Sequence, residues 1–212
     1  MDHPQLARLI EVMATLRRQC PWDAEQTHES LVQYLIEETA ETIEAVESGD
    51  LDHLREELGD LLLQVIFHAE IAAERDDGFS IDDIAAGIAD KLIARHPYVF
   101  ATDETPADLH FSWEQRKAAE KGRTSVLEGI PDQLSSLARA NKIVSRVRSR
   151  RVSVDLPSEP IDEHDLGAQV LALVARAQAS GIDPDQAVRV AVRDLEARVR
   201  AGEASQHRRS AG

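Results

Sequence analysis

Five carboxylates stand in two short groups, Glu37-Glu38-x-x-Glu41 and Glu57-x-x-Asp60. On a helix at 100° per residue, counted from Leu31, Glu37, Glu38 and Glu41 fall at about 240°, 340° and 280°. Three acids therefore share one arc. Glu57 and Asp60 are three residues apart, one above the other on a second helix. Leu58, Leu61, Leu62, Leu63, Val65, Ile66 and Phe67 surround that pair in sequence. Two carboxylates about 4 Å apart repel by roughly 4 kcal/mol at an effective dielectric near 20, and burial adds the cost of desolvation. Left alone, such groups take up protons. A divalent cation removes the repulsion and uses the oxygens as ligands. A glutamate-rich helix is also an ordinary solvated face, and Glu37, Glu38 and Glu41 by themselves fit that reading. Glu57 and Asp60, set in the most apolar stretch of the chain, do not.

The donor chemistry narrows the ion. All the candidate ligands are hard oxygens, with no cysteine and no Glu-x-x-His pair of the di-iron bundles. Zinc prefers nitrogen and sulfur donors, so an oxygen-only set favours Mg²⁺, with Mn²⁺ as a substitute. Cations follow downstream in helical register: Lys91 with Arg95, and Trp113 with Lys117, each pair four residues apart. Lys and Arg suit phosphate, and an indole face can stack on a base, although basic surface residues and a packed tryptophan are commonplace. No Gly-x-x-x-x-Gly-Lys-Ser/Thr loop occurs, which excludes a Walker-type ATPase.

The elements that must position these groups are helical. Leu6, Leu9, Ile10, Met13 and Leu16 mark a first helix ending before Cys20-Pro21-Trp22. The spacing predicts a second over 30–47, with Leu31, Leu35, Ile36, Ile43 and Val46 apolar, and a break at Ser48-Gly49-Asp50. A third runs over 51–75. A fourth starts from an N-cap at Ser80, with Asp83 in capping-box position, and ends at Arg95. A fifth covers 113–121. No segment alternates with the period of a strand. The third helix is apolar nearly all the way round, which calls for cover on most sides. An all-α helix bundle completed by a second copy of the chain, a homodimer, supplies it.

The chain has 212 residues, 24 Lys+Arg and 39 Asp+Glu, for a net charge of −15. That balance argues against a nucleic-acid partner, because such affinity comes from neutralising phosphates with basic groups. No apolar run reaches membrane-spanning length, so no membrane partner is expected. Cys20 is the only cysteine, which excludes an intrachain disulfide and fits a reducing cytoplasm. The opening MDHPQLARLIEV lacks the layout of a signal peptide. Residues 1–120 hold 27 acidic and 9 basic side chains, against 12 and 15 in 121–212. Two units with different roles are expected.

Residues 165–171 (DLGAQVL) align with 57–63 (ELGDLLL), and 194–198 (DLEAR) with 91–95 (KLIAR). The second copy has Ala168 where the first has a carboxylate, and Asp194 where it has lysine. It also lacks a glutamate-rich helix. The expected organisation is a helical domain at 1–120, a connecting helix at 121–150 and a linker at 151–163. A degenerate partial repeat at 164–204 and a disordered tail at 205–212 complete it.

These motifs, in this order, resemble the MazG family of nucleoside triphosphate pyrophosphohydrolases. The resemblance rests on the two carboxylate motifs, on Cys20-Pro21-Trp22-Asp23-x-Glu25-Gln26-Thr27, on Asp90-Lys91-Leu92-x-x-Arg95-His96-Pro97, and on Trp113-Glu114-x-x-Lys117. It covers most of residues 1–150. It implies an all-α, usually dimeric enzyme that cleaves nucleoside triphosphates to the monophosphate and pyrophosphate with Mg²⁺, clearing unwanted nucleotides. It makes Glu38, Glu41, Glu57 and Asp60 the metal ligands and Glu37 a carboxylate orienting water. Lys91, Arg95 and Lys117 would hold the triphosphate, with Trp113 at the nucleotide. The chain departs from the two-unit family pattern in its second copy, which has lost the acids. Two other readings stay open. One is a narrow-specificity dUTP or phosphoribosyl-ATP hydrolase on the same scaffold. The other is a non-catalytic nucleotide-binding or interaction protein, for which the basic run Arg139, Lys142, Arg146, Arg148, Arg150 and Arg151 could serve as a contact surface.

Overall fold

Helices account for all the regular structure that the computed structural model assigns in the residues it describes, 3–101 and 104–210. The chain divides into two compact units, Met1–His96 and Pro97–Gly212.

In the first unit, α1 (Pro4–Gln19) opens on a proline at its first turn, and α2 (Pro21–Glu25) is a single turn carrying Trp22. A hairpin of α3 (Val32–Ser48) and α4 (Leu51–Ala73) turns at Gly49-Asp50, where the Asp50 carboxylate accepts the Asp52 and His53 N–H groups at 2.9 and 3.2 Å. Helix α5 (Ile81–Arg95) starts with the expected reciprocal capping box between Ser80 and Asp83. Met13, Leu31, Ile66 and Phe67 form the core, with Leu9, Ile10, Tyr34, Leu63, Ile71 and Ile81 packed around it. Arg17 fastens its edge. Its guanidinium donates to Glu74 through Nε and Nη2 (2.8 and 2.9 Å) and to the carbonyl oxygens of Asp23 and Gln26 through Nη1, while lying over the Phe67 ring. Trp22 meets Tyr34 edge-on at 5.9 Å.

The hairpin packs through an unexpected stripe. Leu31 and Ala45 are buried, and Tyr34 and Glu38 half-buried, whereas Val32, Ile36, Ile43 and Val46 are exposed. On α4, Leu58, Leu62 and Val65 are exposed as well. The chain thus covers α4 on one side only.

The second unit comprises α6 (Pro97–Phe100), α7 (Leu109–Glu120), α8 (Ser136–Ser149), α9 (Glu163–Ala179) and α10 (Pro184–Ser210). Val126, Ile130, Ile143, Val147, Val152, Val192, Leu195 and Val199 are its core. The sequence places the boundary near residue 120; the structure places it at His96/Pro97, because α7 packs on α8 and buries Ala118 in the second unit. Helix α7 also begins earlier than expected, at a cap where the Asp108 carboxylate accepts the Phe111 N–H at 2.9 Å.

Two further expectations are corrected. Residues 151–162 of the expected 151–163 linker are irregular, with Glu163 already in α9, but they are not a free spacer. Val152 is in the core, Val154 and Leu156 pack against it, and Arg148 and Arg198 donate to the carbonyls of Pro157 and Asp155. Gly202 on α10 admits this strap: a Cβ there would stand 2.8 Å from the Ser153 carbonyl oxygen. The tail expected to be disordered from residue 205 instead continues α10 to Ser210, with Gln206 Nε2 donating to the Arg151 carbonyl at 2.7 Å. The last two positions of that expected tail, 211 and 212, lie outside the described residues. The repeat segments fall in α9 and α10, yet α9, aligned with α4, buries no residue. Among the described residues no helix is long and apolar enough to cross a membrane.

Candidate functional site

The hairpin brings three of the five carboxylates together. Glu38, Glu41 and Glu57 each offer one oxygen, and these oxygens lie within 4.8 Å of one another. Antiparallel α3 and α4 make this possible: Glu38 and Glu41 are one turn apart on the α3 side facing α4, and Glu57 answers from the second turn of α4. Glu57 is only 7% exposed. Its Oε1 stands 3.2 Å from His53 Nε2, and its Oε2 is buried with no hydrogen-bond partner. A buried acceptor without a donor costs about 1–3 kcal/mol, more when charged. That orphaned oxygen, beside two other carboxylates, fits a hard cation.

Electrostatics show the same crowding. Glu38 is held above the ordinary carboxyl value, first by desolvation and then by Asp60, Glu41, Glu57 and Glu37. Glu41 is also raised, by desolvation, by the charges of Glu57 and Glu37, by a hydrogen bond to Glu57, and by Glu44. Asp60 is half-buried and is the largest charge acting on Glu38, but it stands outside the trio. Glu37 is exposed and acts on Glu38 and Glu41 through its charge.

The direction of these shifts sets a pH dependence. A carboxyl raised in the fold stabilises it when protonated, and that contribution is lost as the pH rises from 4.5, the unshifted value, through the raised values of Glu38 and Glu41. The prediction is that in EDTA the melting temperature falls over this rise, and that Mg²⁺ reduces the fall while releasing protons. Calorimetry at stepped pH checks it; identical pH profiles with and without Mg²⁺ contradict it.

Lys91 and Arg95 stand on α5 of the same unit, half-buried and buried. Trp113 and Lys117 stand on α7 of the second unit, both half-buried, with Lys117 Nζ 4.0 Å from Glu114. The sequence reading missed two contacts. His53 is four residues before Glu57, a helical spacing that announces the pair. His28 and His68 stack at 5.1 Å between centroids with Nδ1 atoms 2.8 Å apart, so one ring donates to the other. Their separation along the chain gave no signal. The basic run is largely engaged internally: Arg139 binds Glu196 and Asp132, Arg146 is buried, and Arg151 lies over Phe111.

The arrangement defines an all-α protein with an acidic hairpin whose oxygens could hold a cation. Residues 26–100 match the MazG nucleotide pyrophosphohydrolase domain. The chain is 35% identical over 207 residues to the nucleoside triphosphate pyrophosphohydrolase/pyrophosphatase MazG of Thermotoga maritima, covering 87% of this chain and 80% of that protein. It is 38% identical over 201 residues to the nucleoside triphosphate pyrophosphohydrolase of Mycobacterium tuberculosis, covering 94% of this chain but 58% of that longer protein. A crystal structure of a mazG-related protein from Thermotoga maritima aligns with a TM-score of 0.45 and 31% identity over 52% of this chain and 97% of that one. The chain belongs to the MazG family.

Proposed function

We propose that this chain hydrolyses nucleoside triphosphates to nucleoside monophosphate and pyrophosphate, with Mg²⁺ or its substitute Mn²⁺. We place it in the cytoplasm as a homodimer that clears nucleotides of broad type. The observation that carries this reading is the convergence of Glu38, Glu41 and Glu57 around the orphaned Glu57 Oε2. The names of the relatives support the reaction class.

Glu38, Glu41, Glu57 and Asp60 hold the cation. A divalent ion held there would supply neutralisation of phosphate charge and activation of water. Glu37, exposed at the edge of the cluster, orients water through its charge. Lys91 and Arg95, on α5 of the same unit, balance the charge that develops on the departing pyrophosphate. His53 positions Glu57. The open apolar faces of α3 and α4 support dimerisation.

Pyrophosphate release measured across canonical and modified nucleoside triphosphates tests the reading. Several substrates turned over within about tenfold of one another, with none cleaved in EDTA, are expected for broad, metal-dependent hydrolysis. A single nucleotide preferred by about a hundredfold would support the narrow alternative. No release from any nucleotide would leave only binding.

A further inference from the structure

We propose that the second unit carries an oxyanion site, built from Arg123, Arg146 and Arg150, that takes a phosphate or pyrophosphate group. It goes beyond the hydrolase reading and does not depend on it.

Arg146 lies in α8 with 4% exposure. Its Nη1 is committed, donating to the carbonyl oxygens of Val126 at 2.9 Å and Glu128 at 2.7 Å. Its Nε is buried and donates no hydrogen bond; the Glu114 carboxylate is 3.9 Å away, beyond bonding reach. A buried guanidinium with an unmet donor calls for an acceptor. Arg146 lines a small hollow together with Glu114, Ser125, Arg123 and Arg150. The hollow shares Ala118, Arg123 and Arg150 with a wider groove that also borders Gln115 and Gly122. On the proposal, one oxygen of the ligand takes the Arg146 donor while Arg123 and Arg150, which line both the hollow and the groove, meet the rest of its charge.

Arg123 is seated for this. Gly129 has φ 64°, and a Cβ there would come 2.7 Å from Arg123 Nη2, so the guanidinium rests where only glycine leaves room. The charge is one-sided. Burial holds Lys117 below its ordinary range; Glu114 opposes that shift, while Lys142, Arg146 and Arg123 add to it. Arg146 is lowered by burial and by Arg123 and Arg150, with Glu114 again opposing. Lys117, Lys142, Arg123, Arg146 and Arg150 are coupled in this group, against Glu114 and, at Arg123, Glu128, in a chain whose net charge is −15. Bidentate guanidinium donors select phosphate oxygens over a weaker anion such as chloride.

The experiment is isothermal titration of the full chain with sodium pyrophosphate and, separately, inorganic phosphate, in EDTA and at low salt. In EDTA the hydrolase reading makes no demand, so the two proposals fail separately. The proposal expects pyrophosphate to bind, and the Arg123→Ala/Arg150→Ala variant to bind at least about tenfold more weakly with an unchanged circular dichroism spectrum. Gly129→Ala, which unseats Arg123, is expected to weaken binding in the same direction. No heat from either anion, or full binding in the double variant, overturns the proposal and leaves water as the partner of Arg146 Nε.

Discussion

Glu57→Gln lowers the rate of nucleotide hydrolysis by at least about a thousandfold and weakens Mg²⁺ binding, while raising the melting temperature in EDTA. The two effects have one cause. Glutamine matches the shape of Glu57 but removes the charge that acts on Glu38 and leads the charge effects on Glu41. It also supplies an amide donor where the buried Oε2 has no partner. The empty site relaxes as the loaded site loses a ligand. In a chain of this length each 1 kcal/mol of relief raises the melting temperature by about 2–4 °C. Pyrophosphate release and calorimetry on the same preparation check both halves. Full activity, or a lower metal-free melting temperature, contradicts the assignment.

If the chain pairs as proposed, Ile36→Glu is expected to leave it monomeric where the parent chain is a dimer. Ile36 is 66% exposed on the chain, and Leu51 78%, with Ile43, Val46, Leu58 and Leu62 also open to solvent. Monomeric proteins rarely leave contiguous apolar surface of more than a few hundred Å² uncovered. Burying one such side chain is worth about 1.5–3 kcal/mol, so a glutamate in that face costs the association both the burial and the desolvation of a charge. Light scattering coupled to size exclusion gives the result directly. A monomeric parent chain at micromolar concentration contradicts the dimer.

What the sequence disclosed follows from the range of the interactions. The Ser80/Asp83 capping box and the Asp50 turn are settled by residues within three positions of one another, and both stand where spacing predicts them. The register of Glu38, Glu41 and Glu57 was legible because a short turn forces α3 and α4 antiparallel. The face of α3 that packs was not legible. Apolar residues at Ile36 and Ile43 outweigh Leu31, Tyr34 and Ala45 in any sum of hydrophobicity, yet the weaker stripe is the one that meets α4. The strap over 152–156 and the extended end of α10 depend on contacts such as Gln206 to Arg151, across 55 positions. Pro157 and Pro160 speak only for irregular backbone, which both a free linker and a packed strap possess. The isolation of Arg146 Nε depends likewise on where Val126, Glu128 and Glu114 fall in space.

The central claim is that carboxylates of two helices share one divalent ion. Crystals of the full chain soaked in Mn²⁺ test it through anomalous scattering, which locates manganese without reference to activity. The expected result is a peak bonded to oxygens of Glu38, Glu41 and Glu57, with Asp60 drawn in, at metal–oxygen distances of about 2.1–2.3 Å. Manganese bound elsewhere, with these carboxylates turned separately to solvent, would contradict it.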